Sequence, residues 1–336
     1  MNKLVKKISA IALSAVMVGG MMAGCSAAKT DDGAAADTAD KTYKIGICQL
    51  VQHEALDAAT EGFIDAVKEK LGEDKVEIDS QNASGDSATC STITNGFVAD
   101  GVDLIMANAT PALQAAMQST ADIPIVATSI TDFATALEIT DWTGTTGINV
   151  TGTADLAPLA DQAAMFPELL PDAKTVGILY CSAEPNSVYQ ATVVAEELSK
   201  LGVTTKDYTA ADTNDIASVV QSAVAECDAI YIPTDNTMAS STGTIDPILA
   251  AANIPAIVGE EGICKGCGVA TLSISYYSIG YKAGEMAAEI LLEGKDPATM
   301  EIAYATDLTK EYVADRAEAL GITIPDTYVA IDMTEE

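Results

Sequence analysis

Short apolar runs alternate along this chain with longer stretches whose apolar residues recur at helical spacing. That alternation predicts parallel βαβ units. Residues 44–49 read as the first buried strand. Leu56, Phe63, Ile64 and Val67 then mark a helix over 53–71, stopped by Gly72. A strand at 76–79, a helix at 86–99 and a strand at 103–107 follow. Thr110 is expected to N-cap the next helix, with Pro111 as its first residue. A fourth strand is expected at 123–129. From 141 to 152 the pattern breaks. Trp142, Gly144, Gly147, Asn149 and Gly152 mark irregular chain, and the first crossing out of this half is expected at or just after it.

The pattern then starts again. A helix over 156–170 leads to a strand at 174–180, whose Gly177 matches Gly46 in the first strand. A helix at 186–201, a strand at 203–208 and a helix at 215–226 follow. The clearest echo is between 103–111 and 228–236. Each copy begins with an aspartate, Asp103 or Asp228, runs through a short apolar segment and opens onto small polar residues. Thr110 and Asp235 occupy matching places in the copies. Residues 269–273 read as a late strand, and 276–293 as a helix that returns to pack on the first half. A strand at 299–306 and a last helix at 310–320 complete the reading. The period is too long for a solenoid. It predicts an α/β fold of two similar parallel-sheet lobes. Ligands of open α/β sheets bind beyond the carboxyl ends of the strands, so polar strand ends of the two lobes would face each other across a cleft.

The first residues stand apart. Lys3, Lys6 and Lys7 precede an apolar, small-residue stretch from Ile8 to Met22, too short and wrongly flanked for a stable span. It ends at Met22-Ala23-Gly24-Cys25, which resembles the lipobox of bacterial lipoproteins, with Cys25 as the lipidated residue. Residues 1–24 are therefore expected to be a lipoprotein signal peptide, and 25–42 a small, polar, acidic tether. A formal charge of -32 argues against nucleic acid as a partner and leaves the lipid as the means of holding a membrane. Arg316 is the only arginine, so no arginine cluster can clamp a ligand carboxylate or phosphate. Backbone N–H groups, hydroxyls and helix N-termini would have to. Cys48, Cys90, Cys181 and Cys227 read as small core residues. Cys264 and Cys267 form a C-x-x-C without the partners of a metal site, expected to be a local disulfide or two free thiols.

No catalytic motif stands out. His53 is the only histidine, and neither a G-x-S-x-G elbow, a phosphate loop nor an H-E-x-x-H occurs. No metal and no cofactor is expected. A binding cleft is easier to assemble. The strand ends of the first half offer Gln49, His53, Asn108, Thr110, Thr131 and Asp132. Those of the second offer Asn186, Ser187, Asp235, Asn236, Thr237 and Glu260, with Ser275, Tyr276 and Tyr277 near the last crossing. Ordinary helix capping would also account for Thr110, Asp235 and Asn236.

Several stretches, taken in order, carry a resemblance: Gln49-Leu50-Val51-Gln52-His53-Glu54-Ala55-Leu56-Asp57, Ala109-Thr110-Pro111, Ser129-Ile130-Thr131-Asp132, Asn149-Val150-Thr151-Gly152, Glu184-Pro185-Asn186-Ser187 and Pro233-Thr234-Asp235-Asn236. The chain resembles the ABC-transporter substrate-binding lipoproteins associated with tryptophan and tyrosine uptake, over nearly all of its mature length. Glu54 and Phe133 stand where that family has proline, and the Cys264 to Cys267 loop is peculiar to this chain. The resemblance implies a periplasmic-binding-protein type I fold, with two doubly wound parallel-sheet lobes joined by a three-segment hinge. Lobe I would hold 43–152 plus about 276–300, and lobe II 153–275 plus about 301–336. An ABC permease and its ATPase would be partners. The chain would be an extracytoplasmic, lipid-anchored monomer and not an enzyme. Its ligand would be an amino acid, aromatic by preference, with Thr110 and backbone N–H groups at the carboxylate and Asp235 at the ammonium. Tyr276 or Tyr277 could stack on an aromatic side chain. A sugar or nucleoside ligand is the alternative, and a surface hydrolase using His53 a distant one.

Overall fold

The fold is described by a computed structural model covering residues 41–334. The expected signal peptide, Cys25 and most of the tether lie outside the described residues. From β1 (Tyr43–Gln49) the chain runs through α1 (Glu54–Leu71), β2 (Val76–Asn82), α2 (Ser87–Asp100), β3 (Leu104–Asn108), α3 (Thr110–Ser119), β4 (Ile125–Ile130), α4 (Phe133–Ala136) and β5 (Val150–Ala154). It then enters a second set: α5 (Leu159–Leu169), β6 (Thr175–Cys181), α6 (Pro185–Lys200), β7 (Thr204–Ala210), α7 (Ile216–Glu226), β8 (Ala229–Ile232), α8 (Asn236–Ala239), α9 (Thr242–Ala252), β9 (Ala256–Val258), α10 (Glu261–Gly266) and β10 (Ala270–Ile274). A second crossing leads to α11 (Tyr276–Glu293) and β11 (Ala303–Tyr304). A third leads to β12 (Leu308–Tyr312), α12 (Ala314–Leu320) and β13 (Val329–Ala330).

Among the described residues the strands form two sheets, ordered β11-β5-β4-β3-β1-β2 and β13-β12-β10-β9-β8-β6-β7. From β2 and from β7 the two orders are the same, as a duplication requires. The pairings are parallel except for the antiparallel β10–β12. The two leading aspartates have one structural task. Asp103 accepts the N–H of Lys44 at 2.8 Å, and Asp228 those of Lys174 and Thr175 at 2.9 and 2.8 Å. Each pins the start of its lobe's first strand. Apolar side chains on both faces of each sheet make the cores, Ile105 and Phe97 on one face of the first and Ile47 and Phe63 on the other.

α11 returns to the first lobe and packs against α1, as the sequence predicts. Small residues set the approach. A Cβ at Gly280 would lie 2.0 Å from the Ala59 carbonyl oxygen, and one at Gly62 2.2 Å from that of Tyr277. The structure departs from the pattern elsewhere. Thr110 is not an N-cap but the first residue of α3, because Ala109 takes the capping place at φ 87. The strand expected over 299–306 shrinks to Ala303–Tyr304. Residues 310–320 are not one helix: Leu308–Tyr312 pairs with β10, whose edge backbone needs partners, and the helix begins only at Ala314. The first sheet also keeps Thr153, Ala154, Ala303 and Tyr304. Sheet membership thus puts both crossings slightly beyond 152 and 300.

Candidate functional site

The residues that meet between the lobes follow strand ends. His53, after β1, places Nε2 3.2 Å from Oδ1 of Asn236, the first residue of α8. Gln190, on α6, donates from Nε2 to Thr131 Oγ1, after β4, at 3.4 Å. Tyr276 opens α11 and donates its hydroxyl to Asp155 Oδ2, after β5, at 2.9 Å, tying the second crossing to the first. Lys265 on α10 pairs with Glu54 on α1 at the rim. A cavity of about 210 Å³ lies between Leu50, Val51 and Pro111 on one side and Glu184, Asn236 and Thr237 on the other.

The first lobe presents an unfilled helix start. α3 has no side-chain cap. Ala109, before it, and Ser129, at the end of β4, both hold positive φ, 87 and 57. Such angles are strained for non-glycine residues and cluster at binding sites. The Ala109 N–H donates to the Thr128 carbonyl at 3.1 Å, which brings the two strained residues together. Thr110 is buried, and so is Ser129, whose Oγ has no partner. An uncapped helix start with adjacent hydroxyls suits an anion.

The second lobe presents acids. Glu184 Oε1 accepts from Thr237 N and Oγ1, at 2.8 and 2.7 Å. Its Oε2 accepts from Asn236 N and Nδ2, at 3.1 and 2.6 Å, and from Asn186 Nδ2 at 3.2 Å. Asp235 caps α8, accepting the Met238 N–H at 2.8 Å, while its other oxygen takes that of Cys181 at 2.6 Å. Burial, and then the nearby Glu184 charge, push its carboxyl up to about 8 against those two N–H groups. Glu260 caps α10 through Gly262 and Ile263, and burial pushes it up to about 7. Burial pushes Asp155 up to about 6 despite nearby Tyr276 and Thr131 hydroxyls. His53 is lowered by burial, against its bond to Asn236 and the surrounding carboxylates.

The predicted residues thus divide. His53, Thr131, Asn236 and Tyr276 meet partners between the lobes or at the crossings, with Asn186 and Asp235 directly behind. Gln49 and Asn108 turn to α1 instead. Gln49 bonds Asp57 and Thr60, each at 2.6 Å, and Asn108 Nδ2 bonds Leu56 O and Thr60 Oγ1 at 2.8 and 2.9 Å. Asp132 caps α4 by accepting from Thr135 N at 2.7 Å. Four further residues are not among the site candidates of the sequence: Ser129 and Glu184, which lie inside the stretches that carry the resemblance, and Asp155 and Gln190, which do not. The only signal for Asp155 is a lone acid at the end of a small-residue strand. Cys264 and Cys267 are free and buried, and Arg316 donates to the carbonyls of Cys264, Lys265, Gly266 and Gly268 above them.

Two α/β lobes with polar strand ends meeting at a hinged cleft define a solute-binding protein with the periplasmic-binding-protein type I fold. Residues 44–333 match the family described as ABC transporter substrate binding protein. The chain belongs to that family, whose members act outside the cytoplasm. It is 35% identical over 298 residues to the tyrosine-binding protein of Clostridioides difficile strain R20291, covering 86% of this chain and 85% of that one. A solved ABC domain from Streptococcus pneumoniae in complex with L-Trp is 32% identical, with TM-score 0.83, over 86% of this chain and 99% of that one. The ligand-free, open structure of CD0873, a Clostridium difficile substrate-binding protein with adhesive properties, is 34% identical over 87% of this chain and 100% of that one, yet its TM-score is 0.66. At nearly equal identity the better fit is to the ligand-bound neighbour. The bonds between the lobes described above give the present conformation a closed cleft.

Proposed function

We propose that this chain captures an aromatic α-amino acid between its lobes and delivers it to the permease of an ABC importer, acting outside the membrane as a lipid-anchored monomer. One observation carries the reading: the uncapped start of α3, set between the strained Ala109 and the unpartnered Ser129 hydroxyl. Thr110, Ser129 and the first N–H groups of α3 would hold the ligand carboxylate without any arginine. The names of the tyrosine-binding relative and of the L-Trp complex support an aromatic side chain. Met22-Ala23-Gly24-Cys25 supports the anchor.

A thermal-shift screen of the full chain against the twenty amino acids, nucleosides and common sugars tests this. Ligand at a hundredfold over its Kd adds about 2.7 kcal/mol. A rise in Tm confined to tyrosine, tryptophan or phenylalanine is expected. A rise with sugars or nucleosides alone removes the amino-acid reading. Incorporation of labelled palmitate, lost in Cys25→Ala, checks the anchor.

A further inference from the structure

Four buried acids stand around the cleft, and three are engaged by the fold. Both oxygens of Glu184, Asp235 and Glu260 accept hydrogen bonds, chiefly from backbone N–H groups at helix starts. Asp155 differs. Its Oδ2 accepts from Tyr276 at 2.9 Å, while Oδ1 is shielded from solvent and meets no donor at hydrogen-bonding geometry. The residue is 4% exposed and belongs to the crossing between β5 and α5. Glu311 also has an unpartnered oxygen, but it stands on β12, only partly buried.

We propose that Asp155 Oδ1 is the acceptor of the ligand's ammonium, and that Asp155, not Asp235, makes the site require a primary amine. The inference rests on the amino-acid reading above and names the group that enforces it. An unpaired acceptor in a dry interior calls for a donor, and a charged donor suits a carboxylate best. The two cations beside the α10 end of the cleft are engaged elsewhere. Lys265 pairs with Glu54 and Glu261, and Arg316 with Asp246 and the end of α10. Asp155 Oδ1 accepts from no described residue, so a ligand cation would complete it. The position also explains closure. The Asp155 N–H donates to Ile130 O in the first lobe at 3.2 Å, and its carboxylate holds Tyr276 at the head of the second crossing. Gln190 reaches Thr131, one residue after Ile130, from the other lobe. An ammonium on Oδ1 would be bound where both crossings and both lobes meet, so its binding favours the closed arrangement.

Titration calorimetry of the full chain with L-tyrosine and with 3-(4-hydroxyphenyl)propionate, the same molecule without its amine, reads this out. The wild type should prefer tyrosine by at least about a hundredfold, a difference of about 2.7 kcal/mol. Asp155→Asn should bind tyrosine at least tenfold more weakly and hold a preference below about tenfold. Asp235→Asn should keep the wild-type preference, whatever it loses in stability. An unchanged preference in folded Asp155→Asn overturns the proposal. So does a wild type that binds both compounds alike, a result that needs no variant. A crystal structure of the wild type with tyrosine gives a further reading: the ammonium is expected about 3 Å from Oδ1, and its placement on another carboxylate sinks the assignment. If the wild type binds no aromatic amino acid, the function above fails separately. The same comparison then uses whichever aminated ligand the screen finds, and a bound ligand without an amine overturns the role of Asp155.

Discussion

His53 Nε2 and Asn236 Oδ1 lie 3.2 Å apart and join the start of α1 to the start of α8 across the cleft. The direction of this bond follows from a neighbour. Asn236 donates its Nδ2 to Glu184 at 2.6 Å, which turns Oδ1 toward the imidazole. His53 must then carry its proton on Nε2. A bond made only in the closed form adds its free energy to ligand binding.

His53→Ala removes one such bond, a net loss of about 1 kcal/mol. Affinity should fall about fivefold with the amine preference unchanged, since Asp155 is untouched. Calorimetry measures both. Wild-type affinity in this variant would mean that the contact is absent from the ligand-bound state.

Gly280→Ala should destabilise the fold although alanine is the better helix former. The substitution gains up to about 1 kcal/mol of helix propensity. The new Cβ, however, would lie 2.0 Å from the Ala59 carbonyl oxygen, where α11 crosses α1, and backbone must move. A net loss of about 1–3 kcal/mol is expected, read as a lower denaturant midpoint. An unchanged midpoint would show that the two helices do not approach this closely.

Much of this fold is legible in the sequence because its signals are local. Asp103 and Asp228 mark equivalent strand starts since each binds a backbone N–H that its own lobe supplies. Strand β12 is not legible. Residues 308–312 lead into Val313, Ala317 and Leu320 at helical spacing, and only the open edge of β10 makes them a strand. The site is legible in part for the same reason. Asn236 and Tyr276 follow strand ends, and their neighbours Asp235 and Ser275 cap helices, which sequence patterns report. Whether a polar side chain turns inward or toward the cleft depends on what packs beside it. Gln49 and Asn108 turn to Thr60, seen only when α1 is in place. Asp155 has meaning only beside Tyr276, which is 121 positions away.

Arg316 supports the segment that carries Glu260 and Lys265 to the cleft. Its guanidinium donates to four carbonyls at the end of α10 and pairs with Asp246. Hydrogen bonds from a charged group contribute about 1.5–3 kcal/mol each, and truncation leaves several carbonyls bare at once. Arg316→Ala should lose at least about 3 kcal/mol on that scale. Lysine, without the planar fork, should recover little. Cys264 and Cys267 lie directly beneath, buried, with thiols pushed up by that burial. They should resist a disulfide-exchange reagent in the wild type and react in Arg316→Ala. Equal reactivity in both would separate the arginine from the order of this loop.

Ligand-free stability should fall as the pH rises from about 6.5 to 8, above the range in which His53, lowered by burial, works the other way. Burial pushes Asp155 up to about 6 and Glu260 to about 7, while burial and the Glu184 charge take Asp235 to about 8. In the unfolded chain such acids titrate near about 4. Between those limits the folded state binds more protons than the unfolded one, so stability decreases with pH. The contribution is fully present below the unfolded values and is lost as the pH passes through the folded ones. Each kcal/mol lost lowers Tm by about 2–4 °C for a chain of this class. Asp235→Asn should flatten the fall between pH 6 and 8, because the amide keeps an acceptor and sheds the charge. Bound amino acid should act in the opposite sense. An ammonium on Asp155 favours its ionised form, which faces the Tyr276 and Thr131 hydroxyls and, beyond Tyr276, Glu260. The ligand-induced rise in Tm should therefore grow as the pH climbs through about 6, and that growth should vanish in Asp155→Asn. Melting curves with and without tyrosine at half-unit pH intervals check both slopes. A ligand-free Tm that climbs across this range would contradict the burial of these acids.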